Sequence, residues 1–211
     1  VTLAVMYVGG VPWTHFAVIG SVLVTLVTVV LVIAPAAGVP LLKGYQEERL
    51  TSFLDPAKDP SGAGYQQDQS QTAIGSGQLT GRGDHATQTR LDFVPERHTD
   101  FIFAVIGERY GFAGAAFVLS LYALLIWRAL RIVTLSKNSY GTLVAGGIAA
   151  MLLFQVFVNV GMNLGIMPIT GIPLPLLSYG GSSVLATFLA VGVLQSIHMQ
   201  ARLSQKGGFA W

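Results

Sequence analysis

Charged residues fall in blocks along this chain, and the gaps between the blocks are long and apolar. No charge occurs in residues 1–42, 110–127 or 138–201. Each gap holds an apolar stretch, and about 20 such residues in a helix cross a bilayer core. Spans are predicted at about 1–9, 14–36, 101–133, 140–163 and 179–200, with a polar stretch, 39–100, after the second. The first ends in Gly9-Gly10-Val11-Pro12 and reads as the stub of a helix. The third is too long for one simple crossing, so its first two turns are expected to tilt or lie in the interface. Pro168, Pro173 and Pro175 forbid a regular helix between the last two spans. That connection is almost wholly apolar and should therefore lie at membrane depth, buried against protein. The predicted fold is an all-α, polytopic transmembrane helix bundle with one long extracytoplasmic loop.

Composition sharpens this picture. Of the 211 residues 52% are hydrophobic and 10% charged, against about a quarter charged in soluble domains. The absence of cysteine excludes a disulfide framework, a thiolate nucleophile and Cys-ligated metal. A net charge of +2, scattered along the chain, makes no nucleic-acid footprint. The opening VTLAVMYV has no initiator Met and no basic n-region, and reads as the middle of a transmembrane helix. Arg128, Arg131 and Lys137 in one short turn, and Arg202 and Lys206 after the last span, have no acid among them. By the positive-inside rule both stretches are cytoplasmic, and 39–100 lies outside. Trp13 and Trp127 fall near the predicted inner boundaries, as aromatic anchors do.

The outer stretch holds six basic and nine acidic residues, with apolar side chains such as Phe53, Tyr65, Ile74 and Phe93 that can dock on the membrane domain. Residues 65–74 are expected to form a short helix, followed by glycine-rich turns that include Gly77, Gly81 and Gly83. Connections of this length are usually functional or disordered, and a packed connector and a substrate-binding loop both fit. At its end, Thr99 or Asp100 is placed to cap a helix beginning at Phe101. Alternatively, the Asp100 carboxylate, beside Arg97 and His98 at the outer surface, is placed to act on a lipid headgroup. Asp100, Ala104 and Glu108 recur every four residues, and Glu108 and Arg109 sit close to the apolar span, where ionisable groups usually face a cavity or a partner. Asn159 and Asn163 share a helix face. Gly161-xxx-Gly165 offers small-residue helix packing as the alternative to cavity lining. Ser178, Ser182 and Ser183 surround Gly180-Gly181 at the start of the last helix, whose N–H groups suit an anion such as diphosphate.

The run NVGMNLGIMPITGIPLPLLSYGGSS, Asn159 to Ser183, resembles the signature of the SEDS proteins (shape, elongation, division and sporulation), which include RodA, FtsW and SpoVE. The stretches from Asp59 to Tyr65, Gln69-Ser70, Ala73 to Gly77, Thr87-Gln88 and Pro95 to Phe103 are similar to the family as well. Arg97 and Pro173 look more like RodA than FtsW. Gln78, in place of a usual Gly, Asp84-His85-Ala86 and Arg109 depart from the pattern. The resemblance implies the C-terminal half of a protein of about ten helices in the bacterial cytoplasmic membrane. The implied activity is a peptidoglycan glycosyltransferase polymerising lipid II at the outer face during cell elongation, with this half alone inactive. Asp100 matches the position essential for polymerisation in the family, as base or as ligand of a divalent cation, Mg or Mn. Arg97, His98, Arg90, Lys43, Ser182 and Ser183 are candidates for headgroup or diphosphate contact. The implied partners are lipid II, the nascent glycan, membrane lipids and a class B penicillin-binding protein, with no nucleic acid. A flippase for a lipid-linked precursor and a non-catalytic scaffold activating a synthase remain as alternatives.

The charge asymmetry makes a direct prediction. In the full-length protein that the resemblance implies, a cysteine introduced as Ser61→Cys should react with an impermeant maleimide in intact spheroplasts. Reaction only after permeabilisation would reverse the orientation.

Overall fold

A computed structural model describes residues 1–36, 62–83, 86 and 99–206. All regular elements among them are helical. Helix α1 is Thr2–Val8, α2 is Trp13–Ala36, α3 is Ala63–Ser76, α4 is Ile102–Leu135, α5 is Ser139–Asn163 and α6 is Gly181–Lys206. The four long apolar helices α2, α4, α5 and α6 match the expected spans to within a few residues, except at the inner end of α6. The short outer helix predicted over 65–74 is α3.

Each helix is shaped by identifiable residues. Pro35 has no N–H to give to Leu31, and α2 meets this with a π-helical turn over Val29–Ile33. The side-chain oxygen of Asn138 accepts from the Tyr140 N–H at 3.1 Å and starts α5. Helix α5 is the centre of the bundle. On its inner half, Ala145 and Ala149 meet Ala129 of α4 and Leu194 of α6 in a close, small-residue interface. Gly146 and Gly147 admit Val8 and Val5 of α1. Higher up, Phe103 and Tyr122 of α4 enclose Val156 and the Pro-rich Leu174. The tyrosine hydroxyl donates to the Pro175 carbonyl.

Helix α4, 34 residues long, would extend about 50 Å at 1.5 Å per residue. Its excess length is resolved by a break rather than by tilt alone. Gly111 adopts φ 65, ψ −163 inside the helix. The Phe112 and Ala113 N–H groups, released from the ladder, donate to Gln78 O at 2.8 Å and Leu79 O at 3.1 Å. The Glu108 carbonyl accepts from Arg82 N at 2.9 Å. The strap 77–82 thereby fills the break and satisfies backbone groups that lipid could not. Main chains touch directly here. A Cβ on Gly77 would lie 1.9 Å from Gly107 O, and one on Gly81 2.2 Å from Arg109 O.

Gln78 stands in this strap at φ 49, a left-handed conformation. The position where the family resemblance expects glycine is therefore one whose backbone favours it. A left-handed L-residue costs roughly 1–2 kcal/mol, and glycine returns part of that gain as extra backbone entropy. Gln78→Gly should raise stability by up to about 1 kcal/mol, whereas Gly81→Ala should prevent the strap from seating. Thermal unfolding in detergent, made on the full-length protein, reads both.

Candidate active site

Asp100 lies half-buried in the turn 99–101 that leads into α4. The expected helix cap at Thr99 or Asp100 is not found. Helix α4 begins at Ile102, so Phe101 occupies the N-cap position, and no side-chain hydrogen bond caps it. Phe101 is only 1% exposed and packs with Ala73, Ala104 and Ile169. Burial of that ring moves the helix start past the aspartate.

The turn is held by its main chain. Asn159 and Asn163, both fully buried, project from the outer end of α5. The Asn159 amide nitrogen donates to Asp100 O at 2.9 Å and to Ile172 O at 2.8 Å. That of Asn163 donates to Asp100 O at 3.2 Å and to Asn159 O at 2.8 Å. Ser70 of α3, fully buried, turns its hydroxyl to Asn163, with the main-chain O at 3.0 Å and Oδ1 at 3.1 Å. Three separate segments thus meet on two asparagines: the turn carrying Asp100, the outer helix α3 and the Pro-rich connection. Gly171, at φ 71, passes under the carboxylate, and a Cβ there would lie 3.4 Å from Asp100 Oδ2. The asparagines answer the choice between packing and cavity lining: their amides support the irregular backbone of the site.

The small-residue motif does something other than helix packing. Gly161 faces Met167, and Gly165, at φ 77, ends α5 where Gln71 and Gln67 of α3 press against it. Ile166 N and Met167 N both return to Gly161 O, closing the helix end. Along the chain from Asp100, Ala104 and Glu108 are both fully buried, and Arg109 is exposed with its guanidinium 5.8 Å from the Tyr110 ring.

The serines divide. Ser178 is buried and its Oγ accepts from Leu174 N at 2.7 Å, so it shapes the Pro-rich turn. Ser183 donates to Gly180 O at 2.9 Å. Ser182 is exposed on the first turn of α6, and the space around the Gly181 Cβ position is open. Arg97, His98, Arg90 and Lys43 lie outside the described residues. Among the described residues no group of three His, Cys, Asp or Glu side chains converges to hold a cation, so these residues do not by themselves fit a divalent-metal site.

The sequence pattern does not point to contact of Ser70 or Gly171 with the site. The signal for Ser70 was its i, i+3 spacing with Gln67 and Ala73, which makes one small and polar face on α3; all three are buried.

A family model, FtsW/RodA/SpoVE, described as cell cycle protein, matches residues 1–203. The chain belongs to this family. The peptidoglycan glycosyltransferase MrdB of Escherichia coli K12 is 45% identical over 207 residues, 97% of this chain and 54% of that protein. Stage V sporulation protein E of Bacillus subtilis is 38% identical over 200 residues, 95% of this chain and 52% of that protein. A solved structure concerned with coordination of polymerization and crosslinking by a peptidoglycan synthase complex superposes with a TM-score of 0.71 at 37% identity. That match covers 94% of this chain and 53% of the other. The chain spans about half the length of the curated relatives it matches. With four helices long and apolar enough to cross a bilayer among the described residues, this FtsW/RodA/SpoVE member is a multi-pass protein of the bacterial inner membrane.

Asn159 offers a test of the junction. Leu fills a similar volume but leaves the Ile172 carbonyl without this donor and the Asp100 carbonyl with Asn163 alone. An unsatisfied buried acceptor costs about 1–3 kcal/mol. Asn159→Leu should therefore destabilise the full-length protein by roughly 2–4 kcal/mol, and more than Asn163→Leu, which spares both Asn159 bonds and leaves the Ile172 and Asp100 carbonyls each a donor. Denaturation midpoints of the two variants check the order.

Proposed function

We propose that the full-length protein is a peptidoglycan glycosyltransferase that polymerises lipid II at the outer membrane face, with Asp100 as general base. The observation that carries this reading is the half-buried Asp100 carboxylate, on a turn anchored by Asn159 and Asn163, beside Gly171, where an added Cβ would lie 3.4 Å from Asp100 Oδ2. The names of the relatives, peptidoglycan glycosyltransferase among them, supply the reaction class.

In the proposed step a sugar hydroxyl of the acceptor gives its proton to the Asp100 carboxylate as its oxygen attacks the anomeric carbon of the donor. The anomeric C–O bond breaks, and the lipid diphosphate leaves with the electron pair. Single displacement at an α-linked donor inverts the centre and gives the β-1,4 linkage. A base on the acceptor side is what this displacement requires. The departing diphosphate needs positive potential. The open first turn of α6, with Ser182, is one source through its N–H groups; Arg97, His98, Arg90 and Lys43 of the outer loop are the proposed others. The proposed partner is a class B penicillin-binding protein, which would crosslink the product.

The decisive variant is Asp100→Asn in the full-length protein. Asparagine has the size and shape of aspartate, the helix cap lies at Phe101, and the contacts from Asn159 and Asn163 use the Asp100 main-chain oxygen, so the fold should be retained. Asparagine cannot accept the hydroxyl proton, and loss of a general base typically costs about 10²–10⁴ in rate. Labelled lipid II should thus yield glycan with the parent protein and almost none with the variant, at unchanged melting temperature. Near-normal glycan synthesis by the variant would remove Asp100 from the chemistry. Translocation without glycan by the parent would identify a flippase, and neither activity without an added synthase would identify a scaffold.

A further inference from the structure

At the opposite, cytoplasmic end, α4 and α6 enclose a second built feature. A cavity of about 210 Å³ is lined by Arg128, Arg131, Leu135, His198, Ala201 and Arg202. A second cavity, of about 350 Å³, shares Arg128, Arg131, Leu135 and His198 and continues toward the membrane centre along Leu125, Val191 and Leu194. The basic pocket and the apolar groove are thus joined end to end.

The charge of this pocket has no answer within the described structure. The sequence contains no Asp or Glu after Glu108, and residues 1–36 carry no charge. Glu108 itself is 20 positions before Arg128 on the same helix, roughly 30 Å along the axis at 1.5 Å per residue. Among the described residues none forms an ion pair or side-chain hydrogen bond with the guanidinium groups of Arg128, Arg131 or Arg202. The Nδ1 atom of His198 is buried without a hydrogen-bond partner. Arg131 is positioned by an aromatic neighbour, its guanidinium 5.6 Å from the centre of the Trp127 ring. Three exposed arginines and a buried polar nitrogen converge at the edge of the bilayer, where they attract an anion.

We propose that this is a binding site for one anionic phospholipid of the inner leaflet, with its phosphate among Arg128, Arg131, His198 and Arg202 and an acyl chain in the groove toward Leu125 and Val191. The anionic leaflet supplies that chemistry at that depth, and basic pockets between transmembrane helices on this side suit acidic headgroups. A soluble anion would satisfy the pocket and leave the groove empty. A phospholipid matches both parts, charge at the aqueous end and hydrocarbon at the other. The site lies at the far membrane face from Asp100 and does not depend on the reading of the outer site.

The test uses the full-length protein in neutral detergent, with phosphatidylglycerol and phosphatidylcholine of equal chain length titrated in native mass spectrometry. The parent should retain one phosphatidylglycerol in preference to phosphatidylcholine. Arg128→Gln combined with Arg202→Gln should reduce that retention roughly tenfold or more, since each basic residue contributes separately. Lys137→Gln removes one positive charge from the same turn outside the pocket and should leave it intact. Val191→Phe changes no charge but fills the groove, and should also weaken retention while melting temperature is maintained. Equal retention in the double variant and in Lys137→Gln would overturn the proposal. So would a parent without preference for phosphatidylglycerol, as when an acidic side chain of the rest of the protein fills the pocket. Displacement of the lipid by millimolar inorganic phosphate would mark an anion site and sink the lipid assignment.

Discussion

The outer half of the molecule depends on one amide group. The side-chain nitrogen of Asn159 holds the carbonyls of Asp100 and Ile172 at once, 2.9 and 2.8 Å away. Both carbonyls belong to backbone that is not helical, in a chain surrounded by lipid, where an unpaired polar group has no water to turn to. A helix satisfies its own main chain. The turn at Asp100 and the Pro-rich connection do not, and α5 satisfies them with side chains instead. Asn163 repeats the arrangement one turn on and passes it to Ser70. The irregular backbone around Asp100 is therefore bonded to a continuous helix of 25 residues.

A parallel solution operates at Gly111, where main chain answers main chain. The strap 77–82 gives its carbonyls to Phe112 and Ala113 and takes one from Glu108. This requires backbones in contact, which Gly77, Gly81 and Gly111 permit because a Cβ at any of the three would collide with main chain. Side-chain amides at one point and glycine contacts at the other connect the outer loop to the bundle on both sides of the short helix 102–110.

Much of this was legible in the sequence, for physical reasons that differ by element. The spans follow from hydropathy because lipid contact imposes composition residue by residue: α2, with 0% of its apolar window buried, is almost purely a record of its solvent. The end of α5 and the irregular stretch after it followed from three prolines. The inner end of α6 runs past the expected position 200 to Lys206, because nothing in the sequence after 200 breaks the helix before the glycines at 207 and 208. The break at Gly111 could not be read locally. Its neighbours, Phe-Ala-Gly-Ala-Ala, belong to an ordinary helix, and only the distant strap makes the opening favourable. The cap expected at Asp100 failed because burial of the Phe101 ring set where the helix starts. The asparagine pair was seen as a face, but its partners lie 59 and 63 residues away in Asp100, a distance no periodicity reports.

The opening at Gly111 also divides α4 in two. Above it, residues 102–110 share no Phe112 or Ala113 hydrogen bond with the helix below, yet they are bonded to the strap and packed on α3. The segment that carries Asp100 at its tip is thus bonded to the strap as well as joined to its own transmembrane continuation. Asp100 therefore stands at the end of a nine-residue helix, 102–110, that has its own hydrogen bond to the strap and a glycine at its base.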